Sequence, residues 1–346
     1  MRHIKFGSIL VMAMILAACG GNSDVPAKPK FSALVSFGDS LSDVGTYNVG
    51  PIALAGGGQF TINAASSVKA TTPTNWTEFV SLSLNLGMPC AAETGGFGVT
   101  PSTHPGCNGY AQGGARVTDP VGIGNPSSLV KPGLALTVPV FTQIQNYLTA
   151  HGGSFSGNEV VTVMAGANDV FTLAGLVGGG AISPASAVVA VQTAASELAN
   201  DVNTQILGNG AKHVVVVNVP DIASTPNGNS INDGTTNPTN PAIFLNTLVT
   251  TFNSQLKANL PDSANVLNVD AYSASADEVA NPDKYLIINK ADSACNVASS
   301  LTCNASTLSV SDPSHYLFAD DVHPTPYGHL LFATYVLQAM TNKGWY

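Results

Sequence analysis

Basic side chains are scarce in this chain, and charge of either sign is thin: 12 Lys and Arg stand against 21 Asp and Glu, together 10% of the residues. The net charge of −9 grows more negative once the first residues, with Arg2 and Lys5, are set aside. That balance argues against nucleic acid as a partner and against a basic, membrane-hugging surface. No heptad run, fixed-period repeat or long internal linker divides the chain. The triplets Gly56–Gly58 and Gly178–Gly180 lack a phosphate-loop lysine and read as flexible loop, not as a nucleotide cradle. What does abound is Gly, Ser, Thr and Asn, which suits an exported protein with long polar loops.

The amino end carries its own signal. Residues 1–18 hold Arg2, Lys5 and an apolar run from Ile9 to Ala18 that is too short for a comfortable transmembrane helix. They read as a lipoprotein signal peptide. The junction Leu16-Ala17-Ala18-Cys19 resembles a bacterial lipobox, which implies cleavage before Cys19 and a lipid on its thiol; ordinary cleavage with Cys19 left free is the alternative. Gly20 follows where aspartate would signal inner-membrane retention, so resemblance to other lipoproteins favours an outer-membrane or cell-surface address, with secretion as the alternative. Residues 19–30 show no apolar period and read as a flexible tether. Residues 31–346 remain as one α/β domain with decorated loops.

Four further cysteines are Cys90, Cys107, Cys295 and Cys303. An even number in an exported chain favours disulfides, and spacing suggests Cys90 with Cys107 and Cys295 with Cys303, although four cysteines allow three pairings. A metal site competes less well, since neither pair has close ligand spacing or a His-rich neighbourhood.

Several apolar runs read as strands buried on both faces: Phe31 to Phe37, Val160 to Met164, Val214 to Val219 and Val266 to Val269. Between them lie helical patterns at Pro139 to His151, from Ser183-Pro184 to Gly208, at Asn240 to Leu260 and at Thr325 to Asn342. The alternation predicts a parallel sheet with helices on both faces and functional groups gathered where strands end. Residues 50–74 and 87–138, rich in Gly, Pro, Thr and Ser, read as long loops over the site with one small strand near Tyr110-Ala111.

The run Phe37-Gly38-Asp39-Ser40-Leu41-Ser42-Asp43 sets a serine directly after the first strand, and Asp320-Asp321-Val322-His323-Pro324 supplies an imidazole near the far end. A serine is a poor nucleophile unless an imidazole is in reach and a carboxylate orients that imidazole. Only a fold that returns its last segment to the first strand brings the two runs together. Read singly, Gly-Asp-Ser is a turn, Asp39 and Asp43 support that turn, and Asn168 in Gly166-Ala167-Asn168-Asp169 closes an Asx turn. His329 is a reserve base.

Four blocks, Phe37 to Gly45, Tyr110 to Val117, Gly166 to Asp169 and Asp320 to Pro324, match in order those of the SGNH, or GDSL, hydrolase superfamily. The first block and Asp320 to Thr325 make the chain most similar to its bacterial lipolytic branch. The resemblance spans Phe31 to Tyr346 and implies the three-layer α/β/α, flavodoxin-like SGNH hydrolase fold. It further implies Ser40 as nucleophile, His323 as general base that later protonates the leaving alcohol, and Asp320 as its orienter. The oxyanion hole it implies comprises the Ser40 backbone N–H, the Gly114 backbone N–H and the Asn168 side-chain amide. Neither metal nor cofactor is implied. Gly109 stands where the family block has asparagine, and Ala319 where the branch has tryptophan, leaving open a widened pocket or a change in packing. The expected activity is hydrolysis of carboxylic esters, lipid esters first, through an acyl-serine. Carbohydrate O-deacetylation, lipid acyl transfer and a non-catalytic surface-binding role are the alternatives.

Overall fold

The computed structural model describes residues 28–346. Cys19, the segment 1–18 and the tether up to residue 27 lie outside the described residues. Along the chain the strands are β1 (Leu34–Gly38), β2 (Glu93–Gly96), β3 (Val99–Thr103), β4 (Val160–Met164), β5 (Val214–Val217), β6 (Val266–Val269), β7 (Asn289–Ser293) and β8 (Tyr316–Phe318). The helices are α1 (Gly50–Leu54), α2 (Trp76–Ser83), α3 (Val140–Ala150), α4 (Ala167–Gly178), α5 (Pro184–Asp201), α6 (Pro226–Ser230), α7 (Pro241–Asn259), α8 (Ala271–Ala280) and α9 (Pro326–Asn342).

β1, β4, β5 and β6 hydrogen-bond in that order as a parallel sheet. The free edge of β1 is covered by the segment around Gly109, which bridges Ser36 in parallel and Ala91 beyond it. Ser36 N–H donates to Asn108 O at 3.0 Å, and Tyr110 N–H donates to Ser36 O at 2.8 Å. The small strand anticipated at Tyr110-Ala111 is thus a bridge centred one residue earlier, and glycine at 109 lets two backbones close on it. Its order puts β1 between the Gly109 segment and β4, at the point where chain connections diverge to either side. Ligand sites of open α/β sheets form at such a point, beyond the carboxyl ends of the strands.

Side chains on a strand alternate between faces, so the all-apolar runs feed two cores at once. Val35, Phe37, Val161, Val163, Val214 and Val216 pack with Ile144 of α3, Leu198 of α5 and Phe252 of α7. Leu34, Val160, Met164, Val215 and Val217 pack on the other face with Trp76 of α2 and Ala333 and Val336 of α9. The result is the expected three-layer α/β/α arrangement.

Helix ends follow capping chemistry. Ser183 caps α5 through the Ser186 N–H, with Pro184 at its first position, and a π-helical stretch, Val202–Leu207, completes the run before Gly208. Five helices depart from the sequence expectation: the short α1 and α6, and α2, α4 and α8. α2 is set by a capping box in which Asn75 and Glu78 satisfy each other's backbone N–H groups, a signature present in the sequence. α4 begins within the Gly-Ala-Asn-Asp run, and α8 follows Asp270, which caps it. The stretch 87–138 also holds the β2–β3 hairpin, whose Gly95, Gly96 and Pro101 hide it from a propensity reading.

Phe252 is 0% exposed, beneath the sheet. Phe252→Ala is expected to lower the unfolding free energy by about 3–5 kcal/mol in urea denaturation. A loss below about 1 kcal/mol would contradict this packing.

Candidate active site

β1 ends at Gly38, whose φ is +151° and where an added Cβ would lie 2.2 Å from Met164 O. Only glycine lets β1 and β4 end this close together. The Gln143 amide from α3 brackets the same residue, accepting from Gly38 N–H at 2.9 Å and donating to Gly38 O at 2.8 Å. Ser40 follows two residues later, in a turn where Asp39 accepts the Leu41 N–H at 3.1 Å and the Ser42 N–H bonds Asp39 O. Asp43 closes the turn, accepting N–H groups of Gly45 at 2.9 Å and Thr46 at 2.8 Å through Oδ1 and of Gly113 at 2.9 Å through Oδ2. One buried carboxylate therefore ties the Ser40 turn to the Gly113-Gly114 turn.

The carboxyl end of the chain meets this turn. Ser40 Oγ lies 2.8 Å from His323 Nε2, across 283 residues of sequence. His323 Nδ1 lies 2.8 Å from Asp320 Oδ2 and 3.0 Å from Oδ1. Asp320 is 2% exposed and also accepts the N–H groups of His323 at 2.7 Å, Val322 at 2.9 Å and Ser300 at 2.6 Å. Burial pushes its carboxyl up, but the His323 charge and these hydrogen bonds outweigh it and hold the group well below the ordinary range. For His323 burial pushes downward, and the Asp320 charge and hydrogen bond, with Asp39 and Asp321, reverse it and raise the imidazole. At Asp39 burial outweighs the Leu41 N–H and the His323 charge, and the carboxyl is pushed up to about 7. Asp43 is likewise pushed up by burial, to about 6, against its backbone donors.

The anticipated oxyanion donors come from three segments, the Ser40 turn, the Gly114 loop and the start of α4. Asn168 sits in the first turn of α4, and its Nδ2 donates to Ala115 O at 2.9 Å, beside the Gly114 peptide. Gly114 has φ +81°, and an added Cβ there would lie 1.9 Å from Ile123 O. Of the two adjacent glycines, Gly113 already spends its N–H on Asp43. Neither the Gly114 nor the Ser40 N–H has an acceptor among the described residues. The second amide hydrogen of Asn168 is likewise uncommitted. Asp169 braces the arrangement, accepting Arg116 Nε and Val117 N–H at 3.0 Å each.

Ser40, Asp320, His323 and Asn168 line one cavity of 350 Å³, with Leu41, Trp76, Met164, Phe171 and Phe332 among its apolar lining. Gly114 is not part of the lining, but Ile123, whose N–H donates to Gly114 O at 3.0 Å, is. Sequence reading passed over Phe60, whose ring centroid lies 5.0 Å from that of His323, as well as Gln143, Ser300 and the buried Glu78 network. The capping-box pattern could have revealed Glu78; nothing local marks the others. His329 does not reach Ser40. It is 1% exposed, its Nδ1 accepts the Trp76 N–H at 3.4 Å, and burial pushes it down to about 3, so the ring stays neutral. Ala319 is fully buried against the cysteines of the second disulfide and does not itself line the cavity.

Both suggested disulfides are formed, Cys90–Cys107 and Cys295–Cys303. The second closes the loop whose Ser300 N–H reaches Asp320 and whose carbonyls at Ser300 and Cys303 are held by Asn63. Among the described residues no group of three or more His, Cys, Asp and Glu could hold a metal ion.

The family model for GDSL-like lipase/acylhydrolase proteins matches residues 34–336, and the chain belongs to that family. A Pseudomonas putida protein described as an uncharacterized protein in the trpE-trpG intergenic region is 25% identical over 353 positions, 95% of this chain and 52% of that one. The chain spans about half the length of that curated relative. Among solved structures, an alpha/beta hydrolase enzyme from the metagenome of Lake Arreo, Spain, is similar at TM-score 0.44 and 16% identity, over 90% of this chain and 96% of that chain. A mutant acetyl-xylooligosaccharide esterase from Geobacillus stearmophilus is similar at TM-score 0.39 and 14% identity, over 90% and 95%.

Asp43→Ala would orphan three buried N–H groups and release the Gly113 peptide. The expected outcome is a loss of about 2–4 kcal/mol of stability by chemical denaturation, since each unsatisfied buried donor costs about 1–3 kcal/mol before relaxation. Wild-type stability in this variant would show that the two turns hold without it.

Proposed function

We propose that the protein is a serine ester hydrolase in which Ser40 attacks the ester carbonyl, His323 takes its proton and Asp320 orients and stabilises the imidazolium. The acyl-serine then yields to water activated by the same imidazole. The single observation that carries this reading is the unbroken chain of contacts from Ser40 Oγ through His323 to Asp320, each 2.8 Å long. Charge developing on the carbonyl oxygen would fall to the Ser40 and Gly114 N–H groups and the Asn168 amide, the three donors left uncommitted. The raised imidazole suits a base that must hold a proton and then surrender it to the leaving alcohol.

A mainly apolar cavity of 350 Å³ is larger than an acetyl group requires and supports lipid esters over small acetates as substrates. We further propose that the protein is exported and held at the outer membrane or cell surface through a lipid on Cys19. The lipobox-like junction supports this, and the two disulfides are compatible with an oxidising compartment.

Ser40→Ala is expected to abolish hydrolysis of a nitrophenyl ester series and labelling by a fluorophosphonate. Asn168→Ala should cost roughly two to three decades in kcat yet retain more activity than Ser40→Ala. An ester profile identical in Ser40→Ala and wild type would sink the reading.

The pH dependence has a defined sign. Neutral His323 is the working base, so kcat/KM falls as pH drops through a midpoint above the ordinary imidazole value of about 6.5. Asp320→Asn removes the charge that raises His323. The variant should be slower and its midpoint should move down; a midpoint that stays in place would separate Asp320 from the imidazole's titration.

A further inference from the structure

Helix α8 runs along the cavity beside Ser40 and turns one stripe toward it, Ala271, Ser275, Glu278 and Val279, at the spacing of a single helix face. Three of these need nothing more. Ala271 and Val279 are apolar, and Ser275 Oγ donates to Ala271 O at 2.8 Å and accepts the Asp221 N–H at 2.8 Å. Glu278 differs. It is 8% exposed and lines the cavity, yet its carboxyl has no hydrogen bond and no ion pair among the described residues.

Of the lining contributed by β8 and α9, Leu317, Phe318 and Phe332 are apolar, and His329 turns its Nδ1 to the Trp76 N–H and makes no hydrogen bond to Glu278. The carboxyl oxygens are not sealed off but open onto the cavity, so a molecule bound there in place of water leaves them unpaired unless it supplies a hydrogen bond, and an unpaired polar group is costly. Burial pushes this carboxyl up to about 8, with the Asp277 charge adding to the push. Near neutral pH it therefore stands as the uncharged acid, with one O–H donor and one carbonyl acceptor. A hydroxyl group is the complement of that pair, since it returns one donor and one acceptor. A plain alkyl chain would leave both unmet.

We propose that Glu278 determines specificity in this cavity, selecting esters whose aliphatic chain carries a hydroxyl group. This rests on the ester-hydrolase reading above and names the substrate class within it. The hydroxyl lies on the part of the ester that extends along α8, whether acyl or alcohol.

Two matched series test it. One compares nitrophenyl alkanoates with their hydroxyalkanoate counterparts, the hydroxyl walked along the acyl chain; the other compares alkyl acetates with hydroxyalkyl acetates. In the wild type at least one hydroxylated ester should exceed its plain counterpart in kcat/KM by about tenfold, and the series in which it does so identifies the side of the ester. Glu278→Gln keeps a donor and an acceptor and should retain the preference. Glu278→Leu should erase it, with Glu278→Met as a second apolar replacement if the leucine variant does not fold. A ratio near one for every pair in the wild type, or one that the apolar variants leave unchanged, overturns the assignment. Plain-ester hydrolysis and fluorophosphonate labelling of wild-type Ser40 report the ester-hydrolase reading independently, so a flat ratio with both intact overturns only the role of Glu278.

Discussion

The contact between Ser40 Oγ and His323 Nε2 makes the strictest demand on this fold, because 283 residues separate its partners and a hydrogen bond tolerates only a few tenths of an ångström. Each partner is held by its own buried carboxylate. Asp43 gathers N–H groups from the front turn and from Gly113, while Asp320 gathers them from its own loop and from Ser300. Beneath them α2 and α9 share one core on one face of the sheet, which fixes the last helix over the first strand. The disulfide Cys295–Cys303 then stiffens the loop that supplies Ser300.

Burial acts on four aspartates here, and their partners decide the outcome. Asp39, Asp43 and Asp169 all end above their ordinary value, even though Asp169 pairs with Arg116. Asp320 alone among them falls well below, because an imidazole and three peptide donors all favour its charged form. The same negative surroundings raise His323, with Asp39 and Asp321 adding to Asp320. A site built this way stabilises an imidazolium in a place where burial by itself would suppress it.

Legibility along the sequence followed how local each signal was. Val160–Met164 and Val266–Val269 are strands at the anticipated residues, since apolar runs of that length have few other uses. Helix α5 announced itself through Ser183 and Pro184. The Asn75 and Glu78 capping box marks α2 as plainly but is set among threonines and a proline, and α4 is masked because Gly-Ala-Asn-Asp also describes a strand terminus. Gly109 carries an edge bridge without any side chain to betray it. Phe60, Gln143, Ser300 and Glu278 belong to no motif, and their importance lies in what surrounds them.

From its sequence alone this chain determined its layers, a favoured but not unique pairing of its four cysteines and, through the resemblance of its blocks to a family, which serine, histidine and aspartate were expected to meet. These are properties of short windows, where residue type and period carry the information. Tertiary structure decided which glycine amide was left without an acceptor, which histidine faced Ser40, and which carboxyl was left unpaired in the cavity. Those choices depend on desolvation and on partners brought from distant segments, and neither quantity exists until the chain has folded.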